Sequence, residues 1–247
     1  MKICFPVILA AICCSWLPSD APAQDKVIRF GSTEDYPPFA QRAADGTLIG
    51  GDVTIARRIA KSMKARAEFV KTSWASLLDD FAARKFDVVI GGLTVLPERA
   101  AVGTFSVPLM DDGKRPLALC ENRARYTSIA AINRPGVRVE ISRGPAIIEL
   151  AKIWFPQASI SVHPEDATLT TRLLEKESDV WVADGVVADH MARRYPGKLC
   201  ATTAQPFTHL TKAWLIRNDP ALIAAVNNGL TKALRNGSWI AALHAVP

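Results

Sequence analysis

The sequence of 247 residues predicts an α/β protein made of two units. Two observations carry this: short apolar runs alternate with segments of helical period, and the alternation restarts in mid-chain after Gly136. A third observation places a ligand. Residues 91–99 (GGLTVLPER) follow a strand-like run and bring Thr94 and Arg99 out of its carboxyl end, where ligands of open α/β sheets are held. A planar guanidinium there can grip a carboxylate with two parallel hydrogen bonds; the alternative for Arg99 is an ordinary exposed charge.

Residues 1–23 precede the fold. Lys2, an apolar run over residues 3–17 and the small residues Ala21-Pro22-Ala23 have the form of a signal peptide, and the run is short for a membrane span. Cleavage would send the chain to the periplasm; an uncleaved anchor is the other reading of the same run. The mature chain opens with a strand at residues 27–31, after which Val53, Ala56, Ile59, Ala60 and Met63 recur at helical steps. A strand at 67–70, a helical stripe of Trp74, Leu77, Leu78 and Phe81, and a strand at 86–90 complete a βαβαβ unit. The second unit repeats it with strand 137–141, a helix from Pro145 through Ile148, Ala151 and Ile153, strand 159–162, a helix around 169–174 and strand 179–183. A strand at 212–216 and helices at 220–234 and 238–243, the first ended by Asn236-Gly237, close the chain.

Composition narrows the function. The net charge is +6 and stays there if the leader takes Lys2 and Asp20 with it, a mildly basic balance that suits anionic ligands. Long basic blocks are missing and the aromatics are not interleaved with Arg and Lys, so nucleic acid is not an expected partner. His163, His190, His209 and His244 are scattered without helical pairing or Cys partners, and no nucleophile elbow or Gly-rich phosphate loop follows a strand. Neither a metal nor a cofactor is expected. Of five Cys, Cys4, Cys13 and Cys14 would leave with the leader. Cys120 and Cys200 then remain as one pair, either a disulfide in an oxidising compartment or two buried thiols.

Residues 31–39 (GSTEDYPPF), Asp45-Gly46, Leu48-Ile49-Gly50, Asp52-Val53, residues 91–100 (GGLTVLPERA) and Asp184 after an apolar strand resemble the bacterial extracellular solute-binding proteins of family 3, the polar amino-acid class. Within it, Thr72-Ser73-Trp74, Asp112-Gly113-Lys114, Cys120-Glu121, Arg134-Pro135-Gly136 and Val162-His163-Pro164 are most similar to the cyclohexadienyl dehydratase branch, periplasmic enzymes acting on prephenate and arogenate. The resemblance implies a two-lobe periplasmic binding protein type II fold with the ligand cleft between the lobes. Lobe 1 would take residues 24–108 and 213–247, and lobe 2 residues 109–212. It implies that Arg99 clamps a ligand carboxylate, that Thr94 and the Gly92 backbone bond the ligand, and that Asp184 meets an amino group or another donor. Tyr36, Phe39 and Trp74 would supply apolar walls. From the residues alone, Tyr36 and Phe39 equally fill the turn around Pro37-Pro38, Trp74 equally packs in the core, and Asp184 equally caps a helix.

Two departures from the dehydratases bear on function. Where they read Thr-Asp-Ala-Ile-Glu, the Glu serving as catalytic acid, this chain reads Ala183-Asp184-Gly185-Val186-Val187. Removing a general acid typically forfeits roughly 10²–10⁴-fold in rate. Where they read Asn-Pro-Gly-Gly-Thr-Asn-Glu in the lobe 2 anion site, this chain reads Ser142-Arg143-Gly144-Pro145-Ala146-Ile147-Ile148. Pro145 has no N–H, Ala146 no hydroxyl and Ile147 no amide, which leaves Ser142, Arg143 and the helix N-terminus to meet an anion. Arg143 either replaces the lost donors or is an exposed charge. The leading expectation is a binding protein for a small carboxylate or amino-acid-like ligand, feeding the membrane component of an ABC transporter. The alternative is a dehydratase-like lyase with its acid relocated to a residue such as Asp189 or Glu149.

Overall fold

The computed structural model describes residues 26–142, 144–163 and 166–247. The expected leader, 1–23, and Arg143 lie outside them. The chain begins with β1 (Val27–Ser32), a small meander of β2 (Asp35–Tyr36), β3 (Ala40–Arg42) and β4 (Leu48–Ile49), then α1 (Gly51–Ser62), β5 (Arg66–Lys71), α2 (Leu77–Ala82), β6 (Val88–Val89), α3 (Pro97–Ala100) and β7 (Thr104–Phe105). Next come β8 (Met110–Asp112), β9 (Lys114–Leu119), a 3-10 turn at Cys120–Arg125, α4 (Ile129–Ile132), β10 (Arg138–Ser142), α5 (Pro145–Trp154), β11 (Ser159–His163), α6 (Asp166–Leu174), β12 (Val180–Asp184), α7 (Gly185–Arg194) and β13 (Leu199–Ala201). The chain ends through β14 (Leu210–Lys212), β15 (Leu215–Ile216), α8 (Pro220–Arg235) and α9 (Ser238–His244).

These strands form two five-stranded sheets, ordered β5-β1-β6-β15-β7 and β11-β10-β12-β9-β13. The chain passes between them twice, at β8 and β14, which pair antiparallel. The two α/β units are those that the restarted alternation predicts, in the two-lobe arrangement that the family resemblance implies. In the first sheet, Phe30, Val88 and Ile216 pack under Val53, Ala56 and Ile59 of α1 and Val226 and Leu230 of α8. In the second sheet β12 is buried throughout: Val180 and Val182 face Val139, Ile141 and Phe155, while Trp181 and Ala183 face Leu169, Leu173 and Met191. A strand covered on both faces has to be apolar at every position, and Asp184, where that run ends, is the exception that marks the site.

Three local expectations need correction. Trp74 precedes α2, because Thr72 Oγ1 donates to Asp80 Oδ2 at 2.6 Å and Ser73 Oγ accepts from the Ser76 N–H at 3.2 Å. A hydroxyl bonding local backbone, as that of Ser73 does, competes with the helix and delays its start. The strand read at 212–216 is split into β14 and β15, since Trp214 N donates to Ser106 Oγ at 3.0 Å where the chain leaves the crossing for the first sheet. The strand read at 159–162 runs one residue further, so that His163 ends β11 with Nε2 2.8 Å from Glu140 Oε2.

Cys120 and Cys200 are bridged, with Cα atoms 4.9 Å apart and a separation of 80 positions in sequence. The bond ties the end of β9 to its edge neighbour β13, so it anchors the rim of the second sheet. Reduction is expected to lower stability by about 2–4 kcal/mol, mainly by freeing the unfolded chain. Denaturant titration with and without reductant checks this, and superimposable curves would contradict it.

His190 supplies a pH prediction. It is buried on α7, and burial, then Arg193 and Arg194, push its pKa down from 6.5 to about 4. Between those values the unfolded state holds a proton that the folded state lacks, so stability rises with pH across that window and is lost on acidification. The full shift corresponds to roughly 3 kcal/mol. His190→Gln is expected to lose less stability between pH 7 and pH 4 than the parent by about that amount, and parallel losses would contradict the assignment.

Candidate functional site

Between the two sheets lies a cavity of about 160 Å³. That is below the roughly 300–1,000 Å³ of drug-sized clefts, so its occupant is small. The loop after β6 builds one wall. Gly91 and Gly92 take φ of 104° and 70°, and a Cβ at Gly92 would stand 2.4 Å from the Phe39 ring. Only glycine fits that conformation and that approach. The turn is pinned by buried Asp52, whose Oδ2 accepts from Gly91 N at 2.9 Å and Gly92 N at 3.2 Å, while Oδ1 accepts from Trp239 Nε1 at 2.9 Å. Gly92 therefore lines the cavity with its N–H already engaged by Asp52.

Beyond the turn, Arg99 on α3 lines the same wall and donates from Nη1 to the Thr94 carbonyl at 2.8 Å. Among the described residues no carboxylate forms an ion pair with it. Burial lowers its pKa from the usual value, with Glu98 and Asp184 opposing the shift, and a guanidinium so placed stays charged. This is a cation held by backbone and open to an acid.

At the opposite side, Asp184 ends β12 and is buried. Its register partner across β9 is Lys114, whose Nζ lies 2.6 Å from Oδ1. Lys212 Nζ and the Tyr36 hydroxyl both bond Oδ2. Burial would push the Asp184 pKa up, but the two ammoniums outweigh it and hold the carboxyl well below the usual range. Lys212 also donates to Thr94 Oγ1 at 3.0 Å, so Thr94, Lys212, Asp184 and Tyr36 form one chain of contacts from the first sheet to the second.

Seven of the expected residues line this cavity together: Tyr36, Trp74, Gly92, Thr94, Arg99, Ser142 and Asp184. Phe39 does not. It is fully buried behind Tyr36, their rings stacked at 5.8 Å, and backs the wall without forming it. Trp74 stands edge-on to Tyr36 at 5.6 Å, which gives that corner its aromatic surface. As a helix N-cap Asp184 makes no side-chain bond, since both oxygens point to the lysines and Tyr36. Sequence reading missed the roles of Lys114, Lys212 and Trp181. The available signal was a lysine heading an apolar strand, Lys212-Ala213-Trp214-Leu215-Ile216, where an exposed residue would be out of place.

A larger cavity of about 260 Å³ opens between α7 and α9. Apart from Asp189, considered above as a relocated acid, it holds none of the expected site residues, and its Arg115 and Asp189 pair with each other at 2.8 Å.

Comparison with known proteins points the same way. The family model for the bacterial extracellular solute-binding proteins, family 3, matches residues 28–244. The chain is 34% identical over 219 residues to a cyclohexadienyl dehydratase of Pseudomonas aeruginosa, covering 88% of this chain and 81% of that one. It is 33% identical over 237 residues to the ABC transporter arginine-binding protein 1 of Escherichia coli, covering 94% and 95%. Among solved structures, an ancestral amino-acid-binding protein described as a precursor of cyclohexadienyl dehydratase superposes with a TM-score of 0.78 at 29% identity, over 89% of this chain and 95% of that one.

Proposed function

Because the chain belongs to the bacterial extracellular solute-binding proteins, family 3, we propose that it holds a small carboxylate or amino-acid-like ligand between its lobes and delivers it to the membrane component of an ABC transporter. The observation that carries this reading is Arg99: a guanidinium in a small cavity between two sheets, bonded to a backbone carbonyl and, among the described residues, to no carboxylate. Residues 1–23 act as the leader that exports the chain to the periplasm, and the lobes divide at 24–108 with 213–247 against 109–212. Calorimetric titration with a panel of small carboxylic and amino acids tests the reading. A single saturable site per chain is expected for at least one of them, and a flat response to all would contradict it.

The competing reading, a dehydratase-like lyase, draws on the 34% identity to the Pseudomonas enzyme. Val187 weighs against it. This residue lines the cavity at the position where the resembled dehydratases carry their acid, and it has no proton to give. The two candidate substitutes do not line that cavity: Asp189 pairs with Arg115 at 2.8 Å, and exposed Glu149 with Lys152 at 2.9 Å. Restoring the acid alone is expected to do little, because orientation of the substrate contributes to rate as much as the proton does. Val187→Glu should therefore show no dehydratase activity on prephenate, and its appearance would mean that the changed residues 142–147 matter less than argued.

A further inference from the structure

We infer, on the basis of the binding reading above, that the ligand carries an oxygen acceptor and no ammonium beside its carboxylate: a 2-oxo or 2-hydroxy acid with an apolar body. The group that would receive an α-ammonium is Asp184, and in this chain its charge is already matched by two ammoniums, Lys114 ion-paired at Oδ1 and Lys212 bonded at Oδ2 together with Tyr36. Lys212 is no loose tether. Its side chain is 1% exposed, its strand bridges to Thr94, its ammonium bonds Thr94 Oγ1 at 3.0 Å, and it lies 5.7 Å from the centre of the Tyr36 ring. A ligand ammonium would have to displace these groups and then sit against like charges in a buried site.

An acceptor meets the opposite situation. An ammonium has three donors, and Lys212 places two of them, on Asp184 and Thr94. The polar face of the cavity thus offers donors from Lys114 and Lys212 on one side and the Arg99 guanidinium on the other. Of the remaining acids in the wall, Glu98 is exposed at the rim and Asp35 has interactions of its own. Apart from Ser142, which has an interaction of its own, the side chains of the remaining wall are apolar, with Trp74, Trp181, Ile147, Leu150 and Val187 available to an alkyl or aryl body. Arg99 would take the carboxylate, the lysine side the C2 oxygen, and the apolar wall the remainder.

Matched pairs differing only at C2 test this on the exported protein: phenylpyruvate with phenylalanine, 4-methyl-2-oxopentanoate with leucine, and 2-oxobutanoate with 2-aminobutanoate. Tryptophan fluorescence reports binding, since Trp74 and Trp181 line the cavity. In every pair that binds, the oxo acid is expected to bind at least tenfold more tightly. Parity, or preference for the amino acid, overturns the inference and leaves the binding reading standing, whereas failure of all six compounds overturns both. Lys114→Met, which frees one oxygen of Asp184, is expected to lower the oxo-to-amino preference at least threefold, and an unchanged ratio would overturn the assigned role of that lysine pair.

Discussion

Asp184→Asn is expected to lower folding stability by about 3–5 kcal/mol, the usual effect of removing one partner from a buried ion pair. The substitution is nearly isosteric, so the loss comes from charge: Lys114 and Lys212 would keep their ammoniums in a buried site without the carboxylate that balances them. Because Asp184 has its pKa held below the ordinary carboxylate range, its contribution is fully present above that range. It is lost progressively as pH falls below that range toward the depressed folded value. Combining Asp184→Asn with Lys212→Met is expected to recover part of the loss, since the second change removes one stranded charge. Urea denaturation of the three proteins measures this. An unaltered midpoint for Asp184→Asn would show that the cluster does not hold the two sheets together.

Arg99→Ala is expected to remove ligand binding while leaving the fold intact. Among the described residues the guanidinium makes one hydrogen bond, to the Thr94 carbonyl, so its loss disturbs little of the structure. Toward a desolvated ligand carboxylate the same group carries most of the charge complementarity, and truncating such a partner typically costs about 2–5 kcal/mol. That corresponds to roughly a 30-fold to several-thousand-fold rise in Kd. Calorimetry of the variant with a ligand of the parent protein checks it, and an equal Kd would place the carboxylate elsewhere.

Much of the fold is legible because its elements obey one period each. Val53, Ala56, Ile59 and Ala60 recur at helical steps and all four are buried in α1, and the apolar run before Asp184 becomes β12, buried on both faces. The short elements were not legible for physical reasons. Strand β6 keeps only Val88 and Val89 of the apolar run 86–90, because Gly91 and Gly92 turn the chain at once onto Asp52. The meander β2 to β4 has two or three residues per strand, too few to show alternation. At the site, Asp184 ends β12, and Thr94 and Arg99 follow β6 in the loop and on α3, where sequence points to them directly. Lys114 and Lys212 were hidden because a lysine reads as exposed. Lys212 becomes buried, and Lys114 largely covered, only when β12 aligns Asp184 with Lys114 and the return crossing carries Lys212 under Thr94.

The central claim is that this cavity holds a small acid and does not transform it. Incubating the exported protein with prephenate and with arogenate, and following phenylpyruvate and phenylalanine over many equivalents of substrate, tests that claim most directly. The expected result is product formation no faster than in buffer alone, with any bound acid recovered unchanged, because Val187 stands where a proton donor is needed and neither Asp189 nor Glu149 lines the cavity. Sustained multiple-turnover formation of either product by the unaltered protein would contradict it.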